Sequence, residues 1–184
     1  MSRSVQPPDA QRLYDEFLVL AVLSGEARAA EQLARRWRPR LLRTARRLLG
    51  DADRAEDVVQ DTWLAIARGL PGLREPGRFP AWAFGILNRR CADAHRRRYR
   101  DSERLDTLTD QTGATEATGE SRSALDSAFA SLPETQRLTA ILFYGEGLTL
   151  AEIARVTNVP VGTAKSRLFH ARRQLREQLE DHST

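Results

Sequence analysis

At 184 residues, 41% of them apolar, the chain has room for one medium domain or two small ones with ordinary cores. Charged residues make up 29% with a formal net charge of only +4, and every basic residue but Lys165 is Arg, a ratio that a GC-rich coding bias largely explains without explaining where the charges sit. One cysteine, Cys91, excludes an internal disulfide or a cysteine-based zinc cluster, and His95, His170 and His182 have no metal-ligand spacing, so no metal or other cofactor is expected.

The most apolar run, Phe17 to Leu23, follows Asp15 and Glu16. It is far short of the roughly 20 residues that a bilayer span needs, and acids ahead of it are wrong for a signal peptide. A soluble, cytoplasmic protein with no membrane partner is expected.

From Ala27 to Leu49, Ala30, Leu33, Trp37, Leu41, Ala45 and Leu48 recur at three- and four-residue steps, which predicts one buried helix face, with arginines crowding the rest and Gly50 ending it. Asp53-Arg-Ala-Glu56 has the spacing of a capping box and opens a helix to about Arg68. Val58 or Val59, Trp63, Ile66 and Ala67 are its expected core, while Asp57, Gln60, Asp61 and Leu64 share an outer stripe. Acids beside an exposed leucine suit a protein partner with a basic surface; a solvated amphipathic face accounts for the stripe equally well.

Pro71, Gly72, Pro76 and Gly77 mark a loop, after which a helix runs from Phe79 or Pro80 to about Arg100. Its arginines, among them Arg89, Arg90 and Arg96 to Arg98, lie near aromatics, a combination suited to phosphate contact and to stacking of unpaired bases. Phe79 and Trp82 read equally as core, the favoured reading for Trp82, and Asp93 as an ion-pair or capping partner inside the arginine cluster.

Charge divides the chain. Residues 1–100 hold 20 basic and 12 acidic residues, residues 101–122 hold 2 and 6, and residues 123–184 hold 7 and 7. The acidic middle, rich in Thr and Gly, buries too little to offset its ordering entropy and reads as a flexible linker. The expectation is therefore an all-α chain of two small helical domains, residues 12–100 and 123–181, joined by an acidic linker over 101–122.

Past the linker, Ser121 to Ser131 reads as a short helix, and Ser131-Leu-Pro-Glu134 and Thr149-Leu-Ala-Glu152 have the spacing of capping boxes. The helix from Thr149 to Val156 is broken by Thr157-Asn-Val-Pro160, where Asn158 tolerates a left-handed turn. A second helix follows from Val161 to about Leu179, with Ala164, Leu168, Ala171, Leu175 and Leu179 on one stripe. Gly162, Thr163, Lys165, Ser166, Phe169, His170 and Arg173 fall opposite, and Lys165 to Arg176 contains five cations and no acid. A short helix, a sharp turn and a basic second helix point to a helix-turn-helix that reads a major groove, the alternative being a solvated basic face on an ordinary bundle helix.

Three segments carry a resemblance. Asp53 to Ala67 resembles the polymerase-binding signature of sigma-70 family factors. Phe79-Pro-Ala-Trp82 with its arginine-rich helix is similar to their −10 recognition segment, and Leu148 to Leu168 to their −35-reading helix-turn-helix. The resemblance covers roughly residues 12–179, and two such units with no further region before or between them place it nearest the extracytoplasmic-function (ECF) group. It implies a transcription initiation factor, not an enzyme, that binds RNA polymerase core (β′ coiled coil and β) and promoter DNA in the nucleoid. An anti-sigma protein is a possible further partner. Asp57, Gln60, Asp61 and Leu64 would dock on β′. Arg78, Phe79, Asn88, Arg89, Arg90, Arg96, Arg97 and Arg98 would open and hold the −10 strand, and Thr163, Lys165, Ser166, Arg167, Phe169, His170 and Arg173 would contact the −35 element. The acidic linker would run near the RNA exit path as a mimic of nucleic acid.

Two positions depart from the family pattern. Arg89 stands where Asn is usual, with Asn88 beside it on another side of the helix, so base capture is not assigned to one residue. Lys165 stands where Arg is common, which removes a bidentate guanine contact. The alternative, a helix-turn-helix regulator that does not bind core polymerase, needs a receiver or ligand domain, and residues 12–100 show no strand pattern for one. An enzyme fails for want of a phosphate-cradling Gly loop or a nucleophile paired with a base.

Overall fold

Every regular element among the described residues is helical. The structure, a computed structural model, describes residues 10–106 and 124–181, with side chains within 10–100 and 127–178.

Helix α1, Ala10–Leu23, buries Leu18, Val19 and Ala21 together with one acid, and leaves a second set of apolar side chains outside. Its acid Asp15 is buried and accepts from Arg36 Nε at 2.6 Å, Trp37 Nε1 at 3.0 Å and Arg40 Nη1 at 3.4 Å, while Leu13, Tyr14, Phe17, Leu20 and Leu23 face outward. A buried carboxylate is tolerable only with such partners, and here they fix α1 on α2.

Helix α2, Ala27–Leu49, buries the expected stripe, except that Ala29 begins it and Ala30 is exposed. Gly50 closes it in the left-handed region at φ 68°, its N–H bonded to Arg46 O at 2.9 Å. That turn leaves Asp51 extended, and Asp51, not Asp53, caps α3, Ala52–Gly69, by accepting from the Arg54 N–H at 3.0 Å. Asp53 lies in the first turn, where its charge suits the helix dipole. Ala55, Val58, Val59, Thr62 and Ile66 form the inner face of α3, and Trp63 is partly buried against it. Ala67, expected inside, is exposed; Thr62 takes an inward position with its hydroxyl satisfied by Val58 O at 2.7 Å.

Two 3₁₀ turns, Leu70–Gly72 and Pro76–Arg78, lead into α4, Phe79–Asp106, so the first six residues of the expected linker continue a helix. The remainder of the linker lies outside the described residues.

The C-terminal half comprises α5, Ala124–Ala130, α6, Glu134–Ala140, a π-helical turn at Ile141–Gly145, α7, Leu150–Thr157, and α8, Val161–Asp181. The expected box at Ser131 does not form, because Pro133 occupies the cap position of α6 without a side-chain bond. Ser131 Oγ instead donates to Ala128 O at 2.8 Å and meets Gln178 Oε1 at 2.7 Å, which ties the α5–α6 turn to α8.

The halves touch. Helix α7 lies on α4, the Arg47 guanidinium sits 5.7 Å from the centroid of the Phe129 ring, and buried side chains of both halves form one continuous cluster.

Candidate polymerase and nucleic-acid interfaces

The acidic ridge of α3 is an exposed charged surface of the N-terminal half. Asp57, Gln60, Asp61 and Leu64 are all exposed, Leu64 at 46%. None of the three polar side chains has a hydrogen-bond or ion-pair partner among the described residues. Their neighbour Glu56 shows the contrast, held by Arg38 at 3.1 Å and Arg46 at 3.4 Å. In a chain with so many arginines, acids left without them on a ridge backed by buried Val58, Val59 and Ile66 can meet a basic partner at little desolvation cost.

Helix α4 separates the expected −10 residues into three groups. Arg89, Arg97 and Arg98 are exposed, and Arg96 is exposed beside its ion-pair partner Asp93. Arg78 is exposed and paired with Glu75 at 2.6 Å, and Arg90 is half-buried. Phe79, expected to touch DNA, corrects the sequence reading: it is fully buried, edge-on to Trp37 at a centroid distance of 4.9 Å, because the helix start turns its ring into the core. Trp82 is partly buried at 6.0 Å from Phe79. Asn88 is covered by the other half and donates through Nδ2 to Val156 O of α7 at 3.3 Å. Beside it a cleft of about 350 Å³ is lined by Arg74, Arg78, Trp82, Arg89 and, from α7, Arg155 and Val156.

The helix-turn-helix is built as its residues dictate. Thr149 accepts from the Glu152 N–H at 3.3 Å and gives its own N–H to Glu152 Oε2 at 2.7 Å, so both halves of the capping box are closed. Asn158 adopts φ 53°, and the Val159 N–H returns to Ala154 O at 2.9 Å, which turns the chain into α8. Ala164, Ala171 and Leu175 are buried and Leu168 partly so, while the side chain of Leu179 lies outside the described residues. Lys165, Ser166, Phe169, His170 and Arg173 are exposed, with Thr163 and Arg167 half-buried at the edge. Phe169 is 64% exposed and meets His170 edge-on at 5.6 Å. An apolar ring so bare at the centre of a basic face is available to a thymine methyl or a sugar.

Two ties between the halves escaped the sequence. Glu152 binds Arg12 Nη1 at 2.9 Å and Nη2 at 3.1 Å, and Glu146, following the π turn, accepts from Arg40 Nε at 2.9 Å and Thr44 Oγ1 at 3.2 Å. Burial pushes the Glu152 carboxyl up, but hydrogen bonds from Arg12 and from the N–H and hydroxyl of Thr149, with the Arg12 charge, outweigh it and hold the pKa below its ordinary value. Nothing in the local pattern at residue 12 or 40 marks a partner more than 100 positions away, as separations of 140 and 106 residues require.

An exposed basic helix after a sharp turn, a second arginine-bearing helix and an exposed acidic ridge, on one all-helical frame, fit the class of helical DNA-binding proteins. Comparison with known proteins agrees. Residues 33–101 match Sigma-70 region 2, and residues 122–175 match Sigma-70, region 4. The chain is 36% identical over 144 residues to the ECF RNA polymerase sigma factor EcfG of Rhodopseudomonas palustris (strain TIE-1), covering 74% of this chain and 77% of that protein. It is 31% identical over 165 residues to the ECF RNA polymerase sigma factor SigM of Mycobacterium tuberculosis (strain ATCC 25618 / H37Rv), covering 88% and 82%. Among solved structures it resembles the sigma factor RpoE of Bartonella quintana in complex with the anti-sigma factor NepR, with a TM-score of 0.69 at 27% identity, covering 82% of this chain and 96% of that one. It also resembles CnrH in complex with the cytosolic domain of CnrY, with a TM-score of 0.66 at 27% identity, covering 91% and 97%. The chain belongs to the ECF group of the sigma-70 family, transcription initiation factors that direct RNA polymerase to promoters. No helix among the described residues is long and apolar enough to cross a membrane.

Proposed function

We propose that this chain works as three separable surfaces and performs no covalent chemistry of its own. The ridge of Asp57, Gln60, Asp61 and Leu64 docks on core polymerase, at the β′ coiled coil, with further contact to β. Arg78, Asn88, Arg89, Arg90 and Arg96 to Arg98 on and around α4 bind the −10 strand, with Phe79 supporting that helix from the core. Thr163, Lys165, Ser166, Arg167, Phe169, His170 and Arg173 on α8 read the −35 duplex. Residues 12–100 form the first unit, 101–122 the connection and 123–181 the second, and the protein acts in the cytoplasm at the nucleoid. An anti-sigma protein is a further partner, as in the RpoE structure, which was solved with the anti-sigma factor NepR.

The observation that carries this reading is the segregation of charge: exposed acids on α3 without partners among the described residues, and exposed cations on α8 of which, among the described residues, only Arg173 has an acid within 4 Å, Glu177 at 3.7 Å. Such a pair between exposed side chains is weak and yields readily to phosphate. Run-off transcription with purified core polymerase and genomic DNA tests it. Discrete transcripts that need the chain are expected; core that stays inactive over every template overturns the reading.

A further inference from the structure

Helix α1 is apolar on two faces, and among the described residues only one of them is covered. Leu18, Val19 and Ala21 pack inward, while Leu13, Phe17 and Leu20, at steps of four and three residues, line the outer side between Tyr14 and Leu23. These five side chains are between 40% and 59% exposed, and the Tyr14 and Phe17 rings stack at 6.3 Å. A lone exposed leucine is ordinary, but large apolar groups following one another along a helix form a continuous patch. A helix apolar on both sides is the kind that is covered on both sides.

The charge around the patch narrows what can cover it. No charged residue falls inside the stripe. At its edges stand Glu16, whose carboxylate a Cβ at Gly77 would meet at 3.2 Å, exposed Glu26 and Arg28, and Arg36, 5.3 Å over the Tyr14 ring. Nucleic acid is bound through cations, not through an apolar stripe with acids beside it. A helix lying on a membrane is rich in Lys and Arg on its polar side, whereas Glu16 and Glu26 border this one. A rim of both signs suits a second copy of itself. Under a twofold axis the patch meets the same patch, and each acid can turn toward the partner's cations.

The area is enough for such a pair. At about 150–200 Å² for a large apolar side chain, the patch presents on the order of 400–500 Å² per copy, and two copies face to face bury about 800–1,000 Å². Exposed Gln11, Ser24 and Arg28 at the edge bring the pair to the roughly 1,000 Å² at which specific interfaces begin. We infer that α1 is a homodimerisation helix: two copies of the chain pack antiparallel through Leu13, Phe17 and Leu20, with Tyr14 and Leu23 closing the sides. The spacing of four and three residues is the one with which helices interlock at a shallow angle. An area at that lower bound makes a reversible dimer of micromolar affinity. The α3 ridge and the outer face of α8 belong to other elements and take no part in the contact.

Sedimentation velocity of the full-length chain from about 1 to about 200 µM tests this, a range that brackets a micromolar Kd. The wild type is expected to pass from monomer to dimer and to stop there. Phe17→Glu and Leu20→Glu should each weaken the dimer at least about tenfold, since each would bury a charge in the middle of the partner's stripe. Both side chains are exposed in the single chain, so far-UV circular dichroism and Tm should hold. Where Phe17→Glu lowers Tm, Phe17→Gln takes its place. Leu64→Glu charges a similarly exposed leucine on α3 and should leave association unchanged. Leu20→Glu and Leu20→Lys chains, monomeric apart, should associate when mixed, because opposite charges then meet across the pair.

A wild type that stays monomeric to about 200 µM overturns the proposal, and the face then belongs to a helix of another protein or to a membrane surface. Growth past the dimer, association that Phe17→Glu and Leu20→Glu leave intact, or an equal loss in Leu64→Glu overturns the assignment to α1. A mixture of the two Leu20 variants that remains monomeric overturns the twofold pairing.

Discussion

Arg12 grips both oxygens of Glu152, at 2.9 and 3.1 Å, and adds a bond to Gly147 O at 2.7 Å, so the first turn of α1 is tied to the start of α7. The same carboxylate closes the α7 capping box, and one acid thus serves a helix terminus and a long-range tie. Its pKa is lower folded than unfolded, where 4.5 is the ordinary value, so the unfolded chain takes up this proton first as the pH falls. The stability it contributes is complete above that ordinary value and is lost as the pH drops through the folded pKa. Thermal unfolding followed from about pH 7 to about pH 3 should show Tm falling on the acid side of 4.5, and less steeply in Arg12→Gln, which loses the charge and much of the bonding. An identical acid slope in the two proteins would remove Glu152 from the account.

Asp61→Arg should separate binding from folding. Asp61 is exposed and without a partner among the described residues, so its replacement should leave stability within about 0.5 kcal/mol. Like charges brought together in a docked interface cost several kcal/mol, so affinity for core polymerase should fall by at least about tenfold. Core affinity equal to wild type, measured by competition with a labelled sigma factor, would place the docking surface elsewhere.

Lys165→Ala addresses the other end of the molecule. Losing one good base contact costs about 1–3 kcal/mol, and Lys165 is exposed with no acid bonded to it among the described residues. Promoter selectivity should drop by that amount in a binding assay with matched and scrambled duplexes, while core affinity holds. A uniform loss over both duplexes would make Lys165 a phosphate contact instead.

Legibility followed the range of the interactions. Local ones could be read from the chain: the stripe from Leu33 to Leu48, the box at Thr149 and the left-handed Asn158 each depend on residues within a few positions. Misreadings at the caps were also local, where a nearby residue competed: Asp51 outranked Asp53 once Gly50 turned, and Pro133 displaced Ser131 from the cap of α6. Long-range choices were not legible. Phe79 looked equally fit for core or for bases, and only the packing of Trp37 against it decides. Asp15 is an ordinary acid on paper, and becomes an anchor because α2 brings Arg36, Trp37 and Arg40 to it.

Cys91 offers a probe of the folded state without mutation. Burial, reinforced by the negative charge of Glu134, pushes its thiol up to about 12. The thiolate is the reactive form, so a disulfide reagent near neutral pH should modify it only through opening of the fold. The expected rate is far below that of a free thiol and rises to match it in denaturant. Prompt modification of the native protein would show that α4 is not packed around Cys91 as described.

Phe79 and Phe169 make the sharpest contrast, being the same residue type with opposite surroundings. Phe79 is fully buried against Trp37 and Trp82, and removing such a ring typically costs about 3–5 kcal/mol through lost burial and the cavity left behind. Phe79→Ala should therefore lower Tm markedly and weaken every binding function together, as loss of the core support of α4 demands. Phe169 is 64% exposed and, among the described residues, meets only the His170 ring among aromatics, so Phe169→Ala should leave Tm nearly unchanged and weaken duplex binding alone. Paired melts and duplex titrations of the two variants decide the matter. If Phe79→Ala kept wild-type stability while losing single-strand binding, the ring would have to leave the core on engaging DNA, and the correction drawn from its burial would itself be reversed.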